Sequence, residues 1–246
     1  MELPTYIALS RLDAQSRAMD VDANNMANAD TPGFKASRTL FSDWLSPQHR
    51  TNSPPGGHAI AFTQDRATYR EQQPGPLQHT GNPFDLALGS TGFFTVSTPQ
   101  GPRLTRAGHF GPLPDGTLAD ETGNPVLDAA GKPLRLAPSD TGVTITADGA
   151  ISSPARQIGK IGVVQPLDPN RLQAEGARLL RADTPTQPVA QPAIVQGAIE
   201  GSNVQPVTEM VRMMKEMREF QFTTQFVQSE SDRAQKAIDT LLKTAA

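Results

Sequence analysis

Leu12, Met19 and Met26 recur at intervals of seven, with the small residues Ala8, Ser16 and Ala23 between them. Alternating steps of three and four put such positions on one face of a helix. Arg11, Gln15, Asp20 and Asn24 lie off that seam. The pattern predicts a helix over about residues 5–29. It ends at Ala-Asp-Thr-Pro-Gly (29–33), because proline cannot continue a helix and Pro-Gly suits a type II turn. A second amphipathic stretch runs over 204–244, with no proline after Pro206 and no glycine after Gly201. Val207, Met210, Met214 and Met217 form one stripe, flanked by Val211, Phe220 and Val227 and extended by Ile238, Leu241 and Leu242. Ser202 or Asn203 is placed to cap it, and Pro206 fits its first turn.

Between these helices the period changes. Residues 85–96 alternate in strand fashion around Gly89 and Gly92. Turn signals then recur at Pro99/Gly101, Asp115-Gly116, Gly123-Asn124, Gly131, Gly142 and Asp148-Gly149, with short apolar runs at 125–127, 134–136, 143–146 and 158–164. Such spacing predicts an all-β sandwich, barrel or meander. Two proline-rich stretches flank it. Residues 46–57 carry Pro47, Pro54, Pro55, Gly56 and Gly57, and residues 183–192 carry Pro185, Pro188 and Pro192; both read as extended surface chain. The expected class is α+β, with N- and C-terminal helices pairing as a coiled coil and a central all-β domain between them. The expected divisions are a helix and Asn-rich exit motif (1–35), an extended linker (36–80), a β domain (81–181), a Pro-rich linker with a return strand (182–203) and the C-terminal helix (204–246).

Composition narrows the function more than the fold. A formal net charge of −3 supplies no general field for nucleic acid or anionic membrane. Cysteine is absent, which removes disulfides, thiolate metal sites and a cysteine nucleophile together. The opening Met-Glu-Leu-Pro-Thr-Tyr-Ile lacks the pattern of a cleaved secretory signal, and no apolar run approaches the ~20 residues of a membrane span. His49, His58, His79 and His109 fall at no ligand spacing and read as solvated loop imidazoles. Gly-Ser-Thr-Gly at 89–92 has Leu88 where a nucleophile elbow needs glycine. Asp115, Asp120, Glu121 and Asp128 lack EF-hand spacing and read as hairpin-turn residues. The expectation is therefore a non-enzyme with no catalytic, cofactor or metal site. Two rival readings remain: a β-fold hydrolase acting on the cell wall, which needs a privileged carboxylate pair, and a binding module whose methionines capture a helix.

Ala-Asn-Asn-Met-Ala-Asn-Ala-Asp-Thr-Pro-Gly-Phe-Lys at 23–35 resembles the N-terminal signature of flagellar rod and hook proteins. Gly-Ala-Ile-Glu-Gly-Ser-Asn-Val at 197–204 resembles their closing motif, and Asn-Pro-Phe-Asp-Leu-Ala-Leu-Gly-Ser-Thr-Gly-Phe-Phe at 82–94 resembles their strand block. Leu-Thr-Arg at 104–106 stands where that family has Tyr-Thr-Arg. The resemblance covers nearly the whole chain and is nearest to the proximal rod type, with the distal rod type next. It implies a structural subunit of the bacterial basal-body rod that needs no cofactor. It further implies export without a cleaved signal by the flagellar type III apparatus, and partners that are copies of itself and other rod subunits. The assembly motif is expected to comprise Asn24, Asn25, Asn28, Thr31, Gly33, Phe34, Glu200, Ser202, Asn203 and Val204. The assembly seam is expected to comprise Leu12, Met19, Met26, Met210, Met214 and Met217.

Overall fold

The computed structural model describes residues 2–48, 58–176 and 178–244, and divides into two compact units. Unit 1 comprises Met1–Met26, Ser37–Tyr69 and Gln205–Ala246, and unit 2 comprises Ala27–Ala36 and Arg70–Val204.

Unit 1 carries both helices, α1 (Glu2–Ala27) and α2 (Pro206–Thr244), and a two-stranded sheet of β1 (Ser37–Gln48) and β2 (His58–Arg70). The stretch read as an extended linker over 36–80 therefore contains paired strands. Pro54, Pro55, Gly56, Gly57 and His49 lie outside the described residues. Pro206 is the first residue of α2, as its missing N–H allows. The carbonyl that accepts the first helical bond is that of Gln205, reached by the Glu209 N–H at 3.0 Å. Ser202 and Asn203, expected as caps, lie before the helix and hold the incoming chain instead.

Unit 2 is built from short antiparallel strands. They are β3 (Leu77–His79), β4 (Leu86–Leu88), β5 (Phe93–Thr98), β6 (Gly101–Thr105), β7 (Phe110–Pro112), β8 (Leu118–Asp120), β9 (Thr144–Ile145), β10 (Ala150–Ser152), β11 (Gln157–Lys160), β12 (Val163–Pro166), β13 (Leu172–Glu175), β14 (Leu179–Ala182), β15 (Thr186–Pro188), β16 (Ile194–Gln196) and β17 (Ala198–Glu200). The largest sheet has the order β13-β14-β6-β5-β12-β15; smaller ones are β11-β10-β9, β16-β4, β17-β3 and β7-β8. The run at 158–164 is not one strand: it breaks at Gly162, where a Cβ would stand 2.6 Å from the Asp128 carbonyl oxygen. The proline-rich stretch 183–192 is not wholly a linker either, since β15 pairs with β12 and forms one edge of the main sheet. Pro188 sits on that edge, where a missing ladder donor is tolerated.

The expected turns fall where the chain reverses. Gly101, Gly116 and Gly149 join β5 to β6, β7 to β8 and β9 to β10. Gly116 shows why the residue is needed: its φ is +81°, and a Cβ would lie 2.2 Å from the Leu136 carbonyl oxygen. The carboxylates of Asp115, Asp120 and Asp128 each accept the N–H two residues on, at 2.9, 2.9 and 2.8 Å, the Asx arrangement of a tight turn. The larger of two apolar clusters in the unit gathers Leu86, Leu88, Phe94, Val126, Ile161 and Ile194, with Phe94 and Phe110 meeting edge to face at 5.2 Å; the smaller gathers Phe93, Leu104 and Leu172. His109 departs from the solvated-loop reading, for its Nδ1 lies 2.6 Å from the buried Asp85 carboxylate.

Candidate assembly interface

The two terminal motifs meet within unit 2. The chain leaving α1 turns through Asn28 and Thr31, whose backbone carbonyl and amide bond at 3.1 Å. Gly33 then donates its N–H to the Glu200 carbonyl at 2.8 Å, and Asn203 donates its own to the Phe34 carbonyl at 3.3 Å. Gly33 has φ +72°, and a Cβ there would sit 2.4 Å from the backbone carbon of Arg106. Both the conformation and the contact exclude a side chain.

Glu200 is the centre of this joint. Its carboxylate is fully buried and accepts the Lys35 ammonium at 2.5 Å, the Arg106 guanidinium at 2.8 Å and the Gly75 N–H at 2.9 Å. Three chain segments are thereby held on one anion. Lys35 also donates to the Gln73 carbonyl at 2.7 Å, and Arg106 to the Ser90 carbonyl at 2.9 Å. Burial, only partly offset by Glu200, pulls the Lys35 ammonium below the usual lysine range. Asn203 completes the joint. Its Oδ1 accepts the Ala36 N–H at 2.7 Å, and its Nδ2 donates to the carbonyls of Glu71 and Gln73 at 3.2 and 3.1 Å. The Ser202 hydroxyl accepts the Val204 N–H at 3.2 Å, and both residues are buried.

Unit 1 contains a separate polar joint at Asn25. Asn25 is fully buried, and its amide takes up both main-chain groups of Ser37, accepting from the N–H at 2.8 Å and donating to the carbonyl at 2.9 Å. The same Nδ2 lies 3.3 Å from the buried carboxylate of Glu209, which also accepts Arg38 at 2.8 Å. Burial is the largest single influence on the Glu209 carboxyl and raises it, but the bond and charge of Arg38, the Asn25 bond and the charge of Arg212 together outweigh it, and the net direction is downward. Farther along, Arg11 meets Glu219 at 3.4 Å. The pairs 25/209 and 11/219 run in opposite senses, so the helices lie antiparallel where they meet.

The predicted seam is divided by this packing. The most covered positions of α1 are Ala8, Ala14, Gln15, Ala18, Asp22 and Asn25, while Leu12, Met19 and Met26 are half-buried on the flank. On α2, Glu209, Arg212, Glu216, Glu219, Thr223 and Val227 mark the covered side at three- and four-residue spacing. Met210, Met214 and Met217 lie on the opposite side, 52, 44 and 47% exposed, in a stripe with the exposed Val207 and Val211. A contiguous apolar stripe facing water is the feature by which interaction surfaces are recognised. Thus Asn25, Gly33, Glu200, Ser202, Asn203 and Val204 shape the subunit. Asn24 is exposed and Asn28, Thr31 and Phe34 are half-buried. Lys35, Arg38 and Arg106 are partners that the sequence reading did not select. A charged residue inside a motif or strand was their only signal.

Among the described residues no group of His, Asp or Glu could hold a metal ion, and no helix is long and apolar enough to cross a membrane. Three family models match the chain. That for the flagella basal body rod protein covers residues 6–35, that for the flagellar hook protein FlgE/F/G D1 domain covers 87–153, and that for the flagellar basal body rod FlgEFG protein C-terminal covers 195–240. The flagellar basal-body rod protein FlgF of Caulobacter vibrioides is 34% identical over 99% of both chains. That of Mesorhizobium japonicum is 35% identical over 98% of both. FlgG of Bacillus subtilis is 28% identical over 95% of this chain and 97% of its own. Signature motif, buried joints and end-to-end similarity agree: the chain belongs to the flagellar basal-body rod protein family, as a rod protein of the FlgF type.

Proposed function

We propose that this protein is a structural subunit of the proximal rod, polymerising through α1 and α2, which pair as a coiled coil in the assembled axle and help it transmit torque. The observation that carries the reading is the methionine stripe. Met210, Met214 and Met217 lie on the side of α2 away from the contacts with α1 and remain exposed in the single subunit. Burying one methionine side chain is worth about 1.5–3 kcal/mol, so a neighbour covering the stripe gains substantially from it. The half-buried Leu12, Met19 and Met26 extend the same use to the flank of α1. The partners are further copies of this chain and other rod subunits. Export by the flagellar type III apparatus without a cleaved signal, and residence in the basal body, follow from the same reading. The family's role is mechanical, and no catalytic step is assigned to the chain.

The absence of cysteine permits a direct test. A Met214→Cys subunit that still supports motility should react rapidly with a maleimide when free, because position 214 is exposed. It should be protected in purified basal bodies. Equal labelling in the two states would show that the stripe is not an assembly face.

A further inference from the structure

The covered face of α1 is unusually polar. Gln15 and Asp22 lie seven residues apart on it, each 5% exposed. Asp22 Oδ2 and Glu209 Oε1 are buried and without a hydrogen-bond partner. Asp22 lies one turn before Asn25, which contacts Glu209, and the Glu209 charge acts on the Asp22 carboxyl across the two helices. Among the described residues the charged groups facing Asp22 are Glu209, Arg212 and Glu216 from α2 and Arg38 from β1. Arg38 is committed to Glu209 Oε2 at 2.8 Å, and Arg212 lies 3.7 Å from Glu209 Oε1. Neither cation has a direct contact with Asp22. Two buried acids, each with an oxygen that accepts no hydrogen bond, form a stable pair only if a proton lies between them.

We propose that Asp22 and Glu209 form a proton-operated clamp, in which a protonated Asp22 donates to Glu209 and holds α1 against α2, and ionised Asp22 loosens that contact. Burial, and next the charge of Glu209, push the Asp22 carboxyl up to about 6, while Arg38, Asn25 and Arg212 together hold the Glu209 carboxyl below its usual range, so Glu209 is the anion of the two. The folded-state value lies above that of free aspartate. The stabilisation is therefore complete below about pH 4 and is lost as pH rises through about 6. The clamp belongs to the single subunit and is independent of whether the methionine stripe is an assembly face.

The test uses the full chain in dilute solution, with helix content followed by circular dichroism through chemical unfolding between pH 5 and pH 8. The clamp predicts that Asp22→Asn, which keeps a donor but cannot ionise, gains on wild type by about tenfold in the helical folding equilibrium over that range. Parallel pH profiles for the two proteins would overturn it. If the variant fails to fold, the side-chain carboxyl of Asp22 in wild type, titrated by carbon-13 resonance, decides. A midpoint near 6 supports the clamp, and one in the ordinary aspartate range rejects it.

Discussion

At the scale of single residues, Glu200 carries the largest electrostatic consequence. Two cations and a backbone amide converge on its buried carboxylate. Removing one partner of such a group leaves the others charged in a place that water cannot reach, at a cost of about 3–5 kcal/mol. Glu200→Gln should therefore destabilise unit 2 by about that amount, read as a lower denaturant midpoint; a loss under about 1 kcal/mol would show that water or neighbouring carbonyls already satisfy Lys35 and Arg106. The identity of Glu200 as a marked position was legible from its place in the closing motif. Its role was not. The role depends on Lys35, Gly75 and Arg106 arriving from three segments remote in sequence, and no local spacing encodes that meeting. Asn25 is a similar case. Its place in the N-terminal motif was legible, but not that it serves both main-chain groups of Ser37, a residue beyond the turn.

At the scale of elements, the terminal helices were legible because their periodicity and punctuation agree over many turns. Their faces were less so. Methionine and leucine positions predicted the seam, yet apart from Ala8 the covered side of α1 is built from Ala14, Ala18 and the buried polar groups Gln15, Asp22 and Asn25, which lie outside that seven-residue pattern. The strands at 37–48 and 58–70 were missed because proline and glycine between them suggested a linker. Likewise β15 was hidden by Pro185 and Pro188, although an edge strand tolerates proline. These late strands matter to stability. β16 pairs with β4, and its Ile194 is 4% exposed inside the same core as Leu86, Phe94 and Ile161. A fragment limited to 81–181 lacks β15, β16 and β17, so it leaves Leu86 and Leu88 uncovered. It should unfold at distinctly lower denaturant than a fragment of 70–204. Losing Ile194 alone costs about 2–5 kcal/mol by analogy with large-to-small core substitutions. Equal midpoints for the two fragments would place the core wholly within 81–181.

At the scale of the whole molecule, the two-unit organisation explains why motifs at opposite ends of the chain read as one signature. Residues 27–36 and 197–204 belong to the same unit and bond to each other through Gly33, Phe34, Glu200 and Asn203. Residues 1–26 and 205–246 belong together in the other unit, where Asn25 and Glu209 make an independent joint. Ends that must fold together, and a helix stripe left exposed after they have done so, suit a subunit whose remaining apolar surface is covered by neighbours. The central claim is that this chain is a required structural element of the basal-body rod. Electron microscopy of basal bodies from a clean deletion strain tests it most directly. Deletion should give non-motile cells whose basal bodies stop at the inner rod and carry no hook, with both defects repaired by the wild-type gene. Complete rods bearing hooks in the deletion strain would contradict it.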